Sequence, residues 1–176
     1  MSIEERFSEE EQFLLTSTPS LIGSAMAFAE GSGLGTVKEM IANARTLMGG
    51  VKSYPDNDII KGVLPSLEDR KEAMAKAKQF REKTMARLEE KGIKSHEMMR
   101  DQLIADCRAV SELLKNKASA QEASEYKGWA MSVAQNVAMA AKEGGFLGIG
   151  GERISEGEKE TFDKIAQALG VDSQLV

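Results

Sequence analysis

The sequence predicts an all-α protein of six to eight helices packed as a compact bundle, and three observations carry that expectation. Apolar residues recur at three- and four-residue spacing through most of the chain, the repeat of a helix with one buried face. Helix-start signatures recur as well: Ser8 precedes Glu9, Glu10 and Glu11, and Ser119 and Ser155 each stand three residues before a glutamate, Glu122 and Glu158. Three prolines, 5% aromatic residues and almost no β-branched clusters argue against sheets. At 176 residues the chain fits one domain spanning 1–176, with a core drawn from Leu, Ile, Val, Ala and ten Met.

Each element has a local reason. Ser8 caps a short first helix whose glutamates sit on the positive end of its dipole. Thr18-Pro19 reads as the N-cap and first position of a second helix, Pro19 to Ala29, apolar on nearly every side and therefore central. Gly31, Gly33 and Gly35 end it. Thr36 caps a third helix with Val37, Met40, Ile41, Ala44, Leu47 and Met48 as its core stripe, closed by Gly49-Gly50. Tyr54 to Asp58 forms a turn, and Asp58 is placed to cap a short helix before Pro65. Ser66 and Asp69 open a long helix to about Lys91, with Leu67, Met74, Ala77, Phe80, Met85 and Leu88 as its apolar stripe. After Gly92, Ser95 caps a helix that presents Met99, Leu103, Cys107, Val110 and Leu114 on one face. The Ser119–Glu122 helix runs to Glu143 with Tyr126, Trp129, Val133, Val137 and Ala140 inward. The Ser155–Glu158 helix follows with Phe162, Ile165, Ala166 and Leu169, and Gly170 stops it.

An internal repeat overlays this plan. Ala25 to Gly35 and Ala138 to Gly148 agree at seven of eleven positions without a gap, each an alanine-rich stretch, Glu-Gly, a glycine-rich bend and Leu-Gly. Two helix–bend–helix units follow, near 19–48 and 120–170, joined by the long helices 66–91 and 95–118.

Charge and cysteine usage narrow the function. A net charge of −5 and a pI near 5.1 exclude nucleic acid as the expected partner, because phosphate binding needs a basic surface. The lone cysteine, Cys107, has no internal disulfide partner, and no secretory signal opens the chain, so the expected location is cytoplasmic. Residues 12–29 carry no charge, but their Ser, Thr and Pro content is too polar for a transmembrane span.

The catalytic supply is poor. His96 and Cys107 lie eleven residues apart, roughly 16 Å along one helix, too far for a nucleophile–base pair. One histidine excludes a di-iron bundle, and Asp56-x-Asp58 lacks the glycine and the closing glutamate of a calcium loop. The glycine-rich run Gly144 to Gly151 follows a helix, lacks the lysine of a phosphate loop and leads into glutamates that repel anions. Within it Phe146, Leu147 and Ile149 form an apolar tip, which either plugs one end of the bundle or docks on a partner. Glu143, Glu156 and Glu158 flank the same bend as the candidate ligands of a divalent cation, against the plainer reading that Glu156 and Glu158 serve the helix N-terminus.

The segments Ala138-Met-Ala-Ala-Lys-Glu143-Gly144, Ile154-Ser155-Glu156-Gly-Glu158-Lys159 and Ile165-Ala-Gln-Ala-Leu169-Gly170 resemble the tellurite-resistance TerB-like helical family, whose members carry such a unit twice. Glu30 and Glu143 stand where that family typically has Asp, and Gly148 to Gly151 lengthen the second bend. The family's metal-binding acids map onto Glu143, Glu156 and Glu158. The resemblance implies a non-catalytic, stress-associated protein that couples to membrane or cytosolic partners. The expected function is thus an interaction or scaffold module with a protein partner, compatible with homo-oligomers and peripheral membrane contact; the alternative is a sensor of a divalent metal or small ligand.

Overall fold

The computed structural model describes residues 2–29, 36–64, 70–142 and 154–173, and every regular element among them is a helix. In chain order these are α1 (Ile3–Arg6), α2 (Glu9–Ala27), α3 (Thr36–Ser53), α4 (Asp58–Val63), α5 (Arg70–Glu90), α6 (His96–Lys117), α7 (Ala120–Lys142) and α8 (Glu156–Leu169). The all-α expectation holds. No described helix is long and apolar enough to cross a membrane. The two glycine-rich bends of the sequence repeat lie outside the described residues, as do Pro65 to Asp69, the expected start of α5.

α2 and α7 form the centre, as their long uncharged stretches, 12–27 and 128–141, foretell. α2 packs against α3, α6, α7 and α8, and α7 lies along α2 and α3. Leu15, Ile22 and Met26 of α2 meet Tyr126, Trp129, Val133 and Val137 of α7, all buried. α6 adds Leu103, Cys107, Val110 and Leu114, and α8 adds Phe162, Ile165 and Leu169, each on the predicted face. Ser8, Ser95 and Ser155 accept from the backbone amides of Glu11, Met98 and Glu158, so these predicted caps are formed. Ser119 likewise accepts from the Glu122 amide at 3.2 Å. Gly170 closes α8 in the left-handed region, φ 69°.

One boundary is corrected: α2 does not break at Thr18-Pro19 but runs through it. The Thr18 hydroxyl is no cap; it donates to the Leu14 carbonyl at 2.8 Å. A proline inside a helix leaves the carbonyl four residues earlier without its amide donor. That carbonyl is Leu15's, and the fully buried Tyr126 hydroxyl donates to it from α7 at 2.6 Å. A tertiary hydrogen bond thereby replaces the missing helical one.

α4 is also capped differently from the expectation. Asn57, rather than Asp58, accepts from the Ile60 amide at 3.0 Å. Its amide nitrogen donates to Glu122 O at 3.1 Å and Glu125 Oε2 at 2.9 Å, which ties α4 to the start of α7. α1, a four-residue helix that the periodicity does not announce, is held to α7 by Arg6. Its guanidinium reaches both Glu122 oxygens at 2.6 and 3.0 Å and Lys117 O at 2.9 Å.

Two apolar stripes point elsewhere than expected. In α3 the side chains of Val37 and Met40 lie outside the described residues, and the close inward contacts that are described come from Asn43 and Gly50. Asn43 packs on Gly23 of α2, where an added Cβ would collide with the Asn43 amide, and Gly50 lies under Trp129. Such bare backbone lets helices approach closely, and this close approach sets the rotation of α3. Leu47 stays against the core, while Ala44 is exposed and Ile41 is 53% exposed. In α5 the stripe is turned out further: Met74 is 67% and Met85 60% exposed, and Ala77 is exposed too. Phe80 makes the anchoring contact, its ring 5.5 Å from that of Phe13 on α2.

Candidate functional surfaces

Each candidate residue has a definite place. Glu143, Phe146, Leu147 and Ile149 lie outside the described residues. Glu156 is exposed in the first turn of α8, whereas Glu158 is 4% exposed. The Glu158 Oε2 accepts from the Ser155 amide at 2.9 Å and from its hydroxyl at 3.1 Å. The carboxylate therefore closes a capping box, the role that its spacing from Ser155 requires. Among the described residues no three His, Cys, Asp or Glu gather as a metal-binding group.

The start of α8 lies against the end of α2. A Cβ added at Gly157 would sit 3.2 Å from the carbonyl oxygen of Ala29, the last described residue before the first bend. The residue that precedes the first bend and the first turn of α8 therefore lie side by side. Phe28, next to Ala29, stacks on His96 with ring centroids 5.1 Å apart.

The thiol and the imidazole do not meet. Cys107 is fully buried, and burial together with the neighbouring Asp106 charge pushes its thiol up to about 12, so thiolate is scarce near neutral pH. His96 is exposed at the first turn of α6. Cys107 thus sits on the core face that its stripe predicts. A shallow depression between α1 and α4, lined by Ser2, Ile3, Glu4, Asp58, Lys61 and Gly62, opens to solvent.

The Arg6–Glu122 pairing is structural in its contacts. Arg6 holds the Glu122 carboxyl down to about 2, with help from Ser119, while burial opposes the shift. Lys127 donates to Ser111 Oγ at 2.9 Å, and the Ser111 hydroxyl donates to Leu169 O at 3.0 Å, at the C-terminal end of α8. Burial lowers Lys127 somewhat.

α5 is the surface that periodicity misassigned. It touches the body through Phe80 and through Arg87, which lies 3.5 Å from Asp106 and over the Phe13 ring. Lys83 lies over the same ring at 5.8 Å. Met74, Lys78, Arg81 and Met85 follow i, i+4, i+7, i+11 spacing and so share one side of the helix. The sequence held a signal for this: two cations interrupt the methionines on that side. The chain matches no family model, no curated protein and no solved structure.

Proposed function

We propose that the protein is a non-catalytic helical interaction module of the TerB-like kind, which binds a protein partner through surfaces outside its core. The observation that supports this best is α5. Soluble monomers scatter single apolar residues over their surfaces, but a helix that turns two methionines to solvent on one side, at 67% and 60% exposure, offers a contact face. The buried, protonated Cys107 and the distant His96 give no nucleophile–base pair, which favours binding over chemistry. The repeat and its TerB-like motifs add the same class of role, with Phe146, Leu147 and Ile149 as a second contact element in addition to α5.

The test is purification of the tagged full chain from its own cells, beside Phe146→Ser/Leu147→Ser and Met74→Ser/Met85→Ser variants. The expected result is a protein that co-purifies near equal stoichiometry and is lost from at least one variant. A chain that emerges alone from low-salt lysate, or the same companions in all three samples, overturns the proposal.

A further inference from the structure

Residues 70–91 hold eight of the 23 Lys and Arg in the chain but four of its 28 Asp and Glu. The helix that stands off the core is thus the most basic element of an acidic protein. Its outward side places Lys78 and Arg81 between Met74 and Met85, and the exposed Lys78 is 3.9 Å from Glu82 at the rim. Such a face can receive carboxylates at its centre and apolar groups at both ends.

The chemistry of the occupant follows by comparison. A bilayer needs a continuous apolar face that sinks below the headgroups, and two methionines split by two cations do not provide one. A second α5 packed antiparallel on the stripe would set Lys78 against Arg81, a like-charge contact. An acidic helix meets neither objection, and methionine adapts its shape to varied apolar neighbours.

Resting on the interaction reading above, we infer that the Met74–Lys78–Arg81–Met85 side of α5 docks an acidic amphipathic helix of a protein partner, its carboxylates on the two cations and its apolar side chains on the two methionines.

Site-specific photo-cross-linking of the full chain in its own cells tests this. Glu82→p-benzoylphenylalanine places the probe at the rim and leaves all four docking residues intact; Ile41→p-benzoylphenylalanine places it on the exposed side of α3. The expected adduct from position 82 is a peptide in which acidic residues outnumber basic ones and apolar residues recur at helical spacing. Adding Lys78→Glu and Arg81→Glu should cut its yield about tenfold while thermal unfolding stays unchanged. A lipid adduct, a neutral or basic peptide, insensitivity to charge reversal, or no adduct at position 82 overturns the inference. If position 41 still yields a protein adduct, the interaction reading survives that result; if neither position cross-links and nothing co-purifies, both fall.

Discussion

α5 and α7 are nearly equal in length, 21 and 23 residues, yet one is outside the core and the other at its centre. From Gly128 to Ala141, α7 has no charged residue and many small ones, so its neighbours approach along much of its circumference. Tyr126 and Trp129, both buried, meet edge to face at 5.5 Å beside that stretch. α5 has comparable apolar spacing but places a cation within each turn, and Phe80, Lys83 and Arg87 hold it to Phe13 and Asp106. Periodicity shows that a helix is amphipathic. The density of small uncharged residues decides whether other helices can surround it.

The largest effect that should separate the two helices is loss of Trp129. Trp129→Ala should reduce stability by about 3–5 kcal/mol, read from the denaturation midpoint at constant slope. A loss below that expected of a surface substitution would show that α7 is not the centre.

Glu122→Gln comes next, because it leaves the Arg6 guanidinium without its ionic partner; a loss of about 2 kcal/mol is expected. The pH dependence has a definite sign. The folded carboxyl titrates at about 2 and its ordinary value is 4.5, so the contribution is complete above 4.5 and disappears as pH falls toward 2. Wild-type stability should fall through that window more steeply than that of Glu122→Gln, and parallel acid limbs would contradict the pairing.

A smaller effect probes the joint between α7 and α2. Tyr126→Phe removes the donor to Leu15 O, with an expected loss of about 1–2 kcal/mol. In a Pro19→Ala background the restored amide can serve that carbonyl, so the same substitution should cost less there. Equal losses in both backgrounds would detach the hydroxyl from the proline.

The smallest effect belongs to α5. Met74→Ser/Met85→Ser should shift stability by no more than about 0.5 kcal/mol per site, since the side chains are already in water. A large loss would mean that α5 is part of the core after all.

These contrasts show what the sequence could carry. The caps at Ser8, Ser95, Ser119 and Ser155 were legible because a cap is local: the serine and its target amide lie three residues apart. The inner faces of α6, α7 and α8 were legible because each has one dominant stripe. Pro19 was misread because the donor that compensates it, Tyr126, is 107 residues away in sequence. The rotation of α3 was hidden for a similar reason: it depends on Gly23 and Trp129, which no stripe within α3 reveals. For the candidate site, the helix-start role of Glu156 and Glu158 was legible from spacing. The basic side of α5 was present in its composition, but a stripe drawn through the methionines alone concealed it.

Cys107 makes the protein its own clock. The lone thiol sits where solvent does not reach, so an alkylating reagent can modify it only in molecules whose core has opened. The labelling rate divided by that of the unfolded chain then measures how often the α2–α6–α7–α8 core opens in native buffer. No second cysteine complicates the count. Motion confined to α5 would leave the rate untouched, while a partner that steadies the core would slow it.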